Sequence, residues 1–239
     1  MTKYLINNQI HNIMKVVYLK SYIVLFIVLL ISTGYTMAQD GSELISAVAY
    51  QNLDKIKSLV EAGVDINYQE ESAGATALIM SAMYNFGDIA NYLIEKGADI
   101  SIKNNTGHTA LMASAGSSEE VFDLLVANGA DMSLKLEDGT SAFMLSISGV
   151  MSDFVGFGNA KKLLENGADV DESFTSGPAE GYTCLMMAAR NQRPDIVKFL
   201  TENGANVNTK AANGNTPLSL AEEEKDQEMI ELLKQLGAK

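Results

Sequence analysis

The chain holds one cysteine, two histidines and only 17 lysines and arginines in 239 residues, and each scarcity removes a class of function. A lone thiol, Cys184, cannot close an intramolecular disulfide in any redox compartment. It sits in an apolar run with Arg190 as the one cation near it, which reads as a buried structural thiol rather than a reactive one. Two histidines and one cysteine do not supply the paired spacings of a zinc site. Neither a nucleophile elbow nor a glycine-rich phosphate loop is present. No catalytic residue, cofactor or metal is therefore expected. The aspartates do not follow the pattern of an EF-hand calcium loop, and they read as cap and turn residues.

Basic residues are the other shortage. Against 30 acids they leave a formal charge of −13. Nucleic-acid binders need a basic footprint, which this chain lacks, and an anionic membrane surface is disfavoured for the same reason. An acidic surface keeps a chain soluble and steers it toward basic partners; the plainer alternative is that the acids solvate helices. The run Glu222-Glu223-Glu224 reads as such a solvated face.

One continuous apolar run exists, Tyr22 to Ile31, too short for a membrane span of about 20 residues. Lys15 and Lys20 precede it, and Thr36-Met37-Ala38 follows. This is the three-part pattern of a secretory signal, with cleavage expected after Ala38. An uncleaved anchor is the alternative. Starting at Met14 would give a signal of ordinary proportions. Removing residues 1–38 takes away three lysines and no acid, so the formal charge becomes −16.

What the chain does have is a repeat. Gly74-Ala75-Thr76-Ala77-Leu78 recurs as Gly107-His108-Thr109-Ala110-Leu111, Gly181-Tyr182-Thr183-Cys184-Leu185 and Gly214-Asn215-Thr216-Pro217-Leu218. Gly139-Thr140-Ser141-Ala142-Phe143 is a degenerate copy. About twenty residues after each copy stands a second phrase: Gly97-Ala98-Asp99, Gly129-Ala130-Asp131, Gly167-Ala168-Asp169 and Gly204-Ala205-Asn206. A period of about 33 residues is the mark of a solenoid. Within a unit the apolar residues recur at three and four, as in Leu44, Ala47, Val48, then Ile56, Leu59, Val60. That spacing predicts paired helices of about eight to ten residues, each too short to stand alone. Gly63, Gly97 and their equivalents mark helix ends, and Asp138-Gly139 and Asn213-Gly214 carry hairpin-turn chemistry.

These phrases resemble the ankyrin repeat, whose hallmark Thr-Pro-Leu-His-x-Ala is approached most closely by Thr216-Pro217-Leu218-Ser219-Leu220-Ala221. The resemblance implies an all-α solenoid of about six helix-turn-helix units joined by hairpin fingers. Residues 1–38 would be the signal peptide, 39–41 a linker and 42–239 the repeat domain. Within it 42–67 would form the N-cap unit, 68–210 the internal repeats and 211–239 the C-terminal cap. One departure is consistent: the hallmark histidine is replaced by Ile79, Met112, Met144, Met186 and Ser219, so the loop bracing has to come from elsewhere, such as the threonine hydroxyls.

The resemblance further implies a protein-binding surface of finger tips and inner helices. Met80, Met83, Tyr84, Ala113, Leu145, Met187, Arg190, Asn191 and Leu220 are expected to face it. Several of these are apolar, and methionine surfaces re-pack around partners; packing between neighbouring inner helices is the competing reading. Two interruptions stand out. Ser141 to Gly167 spans 26 residues where other units take 20 or 21, and the surplus lies around residues 148–158, whose glycines break the helical pattern. Gly167 to Thr183 takes 16 where others take 12 or 13. These insertions carry Met151, Phe154, Val155 and Phe157, then an exposed-looking Phe174. They either fold back onto the array or form a binding patch.

His108, the one histidine after the expected cleavage point, reads as a loop residue touching the neighbouring finger. A pairing with Ser114 or Ser117 is the enzymatic alternative. The expected role is a non-enzymatic, monomeric interaction module in the bacterial periplasm or outside the cell, with another protein, of basic character, as partner. An immunity-type inhibitor of a secreted toxic enzyme, or support of a periplasmic oxidative-stress enzyme, are the alternatives.

Overall fold

The computed structural model describes residues 41–239, and the leader and linker read before Gly41 lie outside the described residues. Six helix–turn–helix pairs follow in order: α1 (Gly41–Ala49) with α2 (Leu53–Glu61), α3 (Ala77–Met83) with α4 (Gly87–Glu95), and α5 (Ala110–Ala115) with α6 (Glu119–Ala127). Then come α7 (Ala142–Met151) with α8 (Gly158–Glu165), α9 (Cys184–Arg190) with α10 (Pro194–Glu202), and α11 (Pro217–Glu223) with α12 (Gln227–Gln235). The first helix of each pair stacks on the first helix of the next, forming an inner row, and α4, α6 and α8 stack likewise as an outer row. The pairs share one continuous core, with Leu44, Leu78, Leu111, Phe143, Leu185 and Leu218 at corresponding places. Helices α3, α5, α9 and α11 run six or seven residues, shorter than the expected eight to ten. Helices this short hold only because their outer partner and the stacked inner helices cover them.

The hydroxyl residue of the repeated phrase caps inner helices α3, α5, α7, α9 and α11. Thr76 Oγ1 accepts the Ile79 N–H at 3.2 Å, and Thr109, Ser141, Thr183 and Thr216 do the same for Met112, Met144, Met186 and Ser219. Such a cap is worth about 1 kcal/mol. Ile79, Met112, Met144 and Met186 are themselves buried, so the histidine position has been turned over to core packing. The bracing is completed between fingers. Asn105 N–H donates to Ala73 O at 2.8 Å, Gln69 Nε2 to Lys103 O at 2.9 Å, and Thr175 N–H to Asp138 O at 2.7 Å. Tyr182 Oη accepts from Asn215 Nδ2 at 2.7 Å. The fingers are turns rather than strands, with isolated bridges at Lys135–Ser141 and Ser173–Thr183.

The aspartates take turn roles. Asp99 and Asp131 accept the backbone N–H of the residue two further on, Ser101 and Ser133, both at 2.8 Å. Outer helices end two residues before a glycine in the left-handed region, as at Gly97 with φ +87°, where a side chain would be strained.

The fourth pair departs from the pattern. The surplus around residues 148–158 does not break the helix at Ser148-Gly149. It lengthens α7 to ten residues, and only then does the chain turn, through Asp153 at φ +58°. The longer α7 rests on both α9 and α10 rather than on its inner neighbour alone.

Candidate functional site

Along the inner row two cavities lie on either side of α7. The first, about 400 Å³, is lined by Met83, His108, Met112, Leu145 and Phe154 among others. The second, about 390 Å³, is walled by Met144, Met151, Phe174 and Met187, with Cys184, Asn191 and Arg193 also on its lining. Ser148 and Ser152 line both, so the cavities form one trough over α7. The second cavity is a crevice between units four and five, where the lengthened α7 leans onto α10.

Arg193 organises that crevice. It is the N-cap residue of α10, and its Nη1 donates to Val150 O at 2.9 Å and Met151 O at 2.6 Å, the last carbonyls of α7. A cation at the C-terminal end of a helix meets the negative pole of its dipole. The other guanidinium nitrogens pair with Asp195, at 3.0 and 2.8 Å, and with Asp153 at 3.1 Å. Hydrogen bonding to Asp195 and the charges of Asp195 and Asp153 raise its pKa further against the cost of burial. A second polar tie holds the opposite end of the insertion. Asn159, fully buried, donates through Nδ2 to Ala115 O at 3.0 Å and Ser118 O at 3.2 Å. Below the crevice, Glu172 accepts from Ser141 Oγ and pairs with Lys135 at 3.0 Å.

The residues expected to face a partner divide into groups. Met83, Leu145 and Phe154 meet in the first cavity, and Met151, Phe174, Met187 and Asn191 in the second. Met83, Tyr84 and Phe154 are exposed, Phe154 to 75%. Tyr84 stacks on Phe86 with centroids 5.9 Å apart, Met80 is half-buried against the core, and Arg190 lies 3.8 Å from Glu224. Three expectations need correction. Leu220 is buried rather than facing the trough, because it packs with Tyr182, Met186 and Ala211. Phe174 is not an exposed finger residue; the lengthened finger folds it onto that same cluster. Phe157 is half-buried and stacks on Phe199 at 4.3 Å, so the insertion both folds back, at Phe157, and projects, at Phe154.

His108 lines the first cavity rather than forming a catalytic pair. Its Nδ1 is 2.9 Å from Thr106 Oγ1, while Ser114 Oγ donates to Leu111 O and Ser117 Oγ to Ala82 O and Ala113 O. Burial pulls the His108 pKa below its ordinary 6.5, against the opposing charge of Asp138 on the next finger. Burial pushes the Cys184 thiol up to about 12, with the Glu172 charge adding to the effect. Among the described residues no three His, Cys, Asp or Glu side chains are grouped to hold a metal ion. Arg193 is the residue missed in the sequence. Its signal was an arginine directly before a helix-starting Pro194, with Asp195 two places on and Asp153 in the insertion.

The family model described as ankyrin repeats, in three copies, matches residues 44–136 and 151–239. The gap between the two matches covers most of α7. Among curated relatives, human 2-5A-dependent ribonuclease is 32% identical over 77 residues, or 32% of this chain, and human neurogenic locus notch homolog protein 1 is 30% identical over 172 residues, or 70% of it. The chain spans only 10% and 6% of those two relatives. Among solved structures, one match is to the Bd0816 predatory endopeptidase from Bdellovibrio bacteriovorus in complex with immunity protein Bd3460. It has a TM-score of 0.68 at 27% identity, covering 82% of this chain and 99% of the matched one. The human ASB11 ankyrin repeat domain gives the same score and identity, covering 82% of this chain and 84% of the matched one.

Proposed function

Since this chain belongs to the ankyrin repeat family, whose repeats are protein–protein interaction modules, we propose that it works in the periplasm or outside the cell by holding one partner protein along the trough over α7. The observation that carries this reading is the joining of two apolar cavities through Ser148 and Ser152, with exposed Met83 and Phe154 on the edge. Uncovered apolar area of this kind, rimmed by polar groups, is what an interface core offers. No activity of its own is proposed, since His108 and the nearby serines are spent on loop and helix bonds. The leader expected over residues 1–38 would deliver the chain across the inner membrane.

A second reading makes the chain an immunity-type inhibitor of a secreted enzyme. It is favoured by the likeness to a chain from the endopeptidase–immunity protein complex, together with the acid excess of 30 to 17, which suits a basic target. Affinity capture from periplasmic extract with the wild-type chain and with a Met83→Glu, Phe154→Glu double variant tests both. One protein retained by the wild type and lost by the variant is expected. Retention of the same protein by both would remove the trough from the reading. An enzyme captured and slowed on addition of the chain selects the inhibitor.

A further inference from the structure

Resting on the interaction reading above, we propose that the crevice between α7 and α9 is an anchor pocket. It would take one aromatic or long aliphatic side chain carried on a basic segment of the partner protein.

The crevice exists because this chain departs from its own repeat. The lengthened α7 touches α10 as well as α9, and Arg193 holds the end of α7 in that position through Val150 O and Met151 O. The chain does not fill the space it creates. Phe157, the insertion residue best suited to do so, stacks on Phe199 instead, and Phe154 stays in solvent. What remains is about 390 Å³ with methionine walls and a mouth of Ser148, Ser152 and Asn191. Interface hot spots are built this way: one large side chain enters a desolvated pocket, surrounded by contacts that exclude water. Methionine walls adjust to the shape of whatever enters. Both apolar entrants named fit the walls, and polar mouth residues can bond the backbone that carries the anchor.

The charge of the occupant follows from the rim. Arg193 is committed to Asp153 and Asp195, and Arg190 faces Glu224. Asp153 remains 83% exposed beside the mouth. Glu119 and Glu120 on α6 and Glu222 and Glu223 on α11 are exposed on the flanking units. The cations at the mouth are thus already paired, while Glu119, Glu120, Glu222 and Glu223 stay exposed on the flanking units, which favours a basic segment and speeds its encounter. A second copy of this chain would bring the same acid excess and be repelled.

The test uses the whole chain with ¹³C-methyl methionine and a factorial set of synthetic peptides. Their central residue is Trp, Leu or Ala and their flanks are Lys, Ser or Glu. The Lys-flanked Trp peptide should shift the methyl signals of Met151 and Met187 and bind about tenfold more tightly than its Ala counterpart. The Glu-flanked peptides should not bind. Ser148→Phe, which places a ring in the mouth from an exposed position, should abolish the shifts, and Asn191→Trp does the same job if the first variant fails to fold. Shifts confined to Met83 and Met112 would overturn the anchor pocket and leave the interaction reading standing. Equal affinity for Lys and Glu flanks would overturn the stated chemistry. Failure of every peptide to bind would overturn the anchor proposal, while the capture experiment judges the interaction reading separately.

Discussion

A Cβ placed on Gly149 would stand 2.3 Å from the carbonyl oxygen of Gly116 and 2.6 Å from its Cα. The two glycines, one inside α7 and one at the C-cap of α5, let neighbouring inner helices touch backbone to backbone. The clash would be with main chain, so no side chain can swing away to relieve it. Gly149→Ala should therefore lower the unfolding free energy by about 1–3 kcal/mol through overpacking. Ser148→Ala, exposed one residue earlier, should change it by less than about 0.5 kcal/mol. Urea melts followed by circular dichroism measure both. An unaltered midpoint for G149A would mean that units three and four part freely.

Arg193 ties unit five to the end of α7, and its planar fork reaches two carbonyls and two carboxylates at once. Lysine cannot reproduce that geometry. Arg193→Lys should cost about 1.5–3 kcal/mol, the worth of charge-assisted bonds. Hydrogen exchange should rise at residues 148–152 and in α9 while α1 stays unchanged. A uniform rise along the array would show that the junction is not a separate weak point.

The insertion's two phenylalanines should separate cleanly. Phe157→Ala removes a ring stacked 4.3 Å from Phe199 and half-buried, at a cost of about 2–3 kcal/mol. Phe154→Ala removes a ring that is 75% exposed and should leave stability within about 0.5 kcal/mol while weakening partner capture. Thermal melts of the two variants decide it; equal losses would place Phe154 in the fold rather than on the surface.

Two groups report on acid. His108 has a folded pKa below 6.5, so the unfolded chain binds more protons in that window. Stability is whole above 6.5 and falls as pH drops toward the folded value. His108→Asn should remove that component of the slope, measured as the difference between paired urea midpoints across pH. Glu70 is held at about 2, first by the Ser72 hydroxyl and then by the Ser72, Ala73 and Ala75 N–H groups. What it contributes is fully present above the ordinary 4.5 and is lost progressively as pH falls from there through about 2. A carboxyl NMR titration with a midpoint near 4.5 would contradict the turn geometry.

The Cys184 thiol, at about 12 and buried, should resist alkylation at pH 8 in the native chain. Labelling should follow opening of the array, so Arg193→Lys should speed it. Rapid modification of the wild type at the rate of a free thiol would show that the crevice is open to its base.

Much of the fold was legible because each unit obeys local rules repeated in register. The threonine before Ala-Leu caps a helix wherever it occurs, and the glycine twenty residues on ends the next one. The trough was legible in part: Met83, Leu145 and Met187 were picked from their spacing after the motif, and Met151 from the apolar residues of the insertion. Leu220 was misplaced by the same spacing, because it packs back on Tyr182 and Met186 of the preceding unit. Phe174 was misjudged because a residue in a lengthened loop says nothing by itself about which cluster lies under it.

The chain's own letters determined the repeat, the helix starts and stops, the buried thiol and the excess of acid, since these depend on neighbours within one turn or one unit and on simple counts. Only the tertiary structure decided that Ser148-Gly149 continues a helix, that Gly149 lies on Gly116, and that Arg193 closes α7 from 42 and 43 residues away. Those outcomes depend on how unit four stacks on units three and five. Such stacking is settled by contacts between residues far apart in the chain, and no periodicity encodes it.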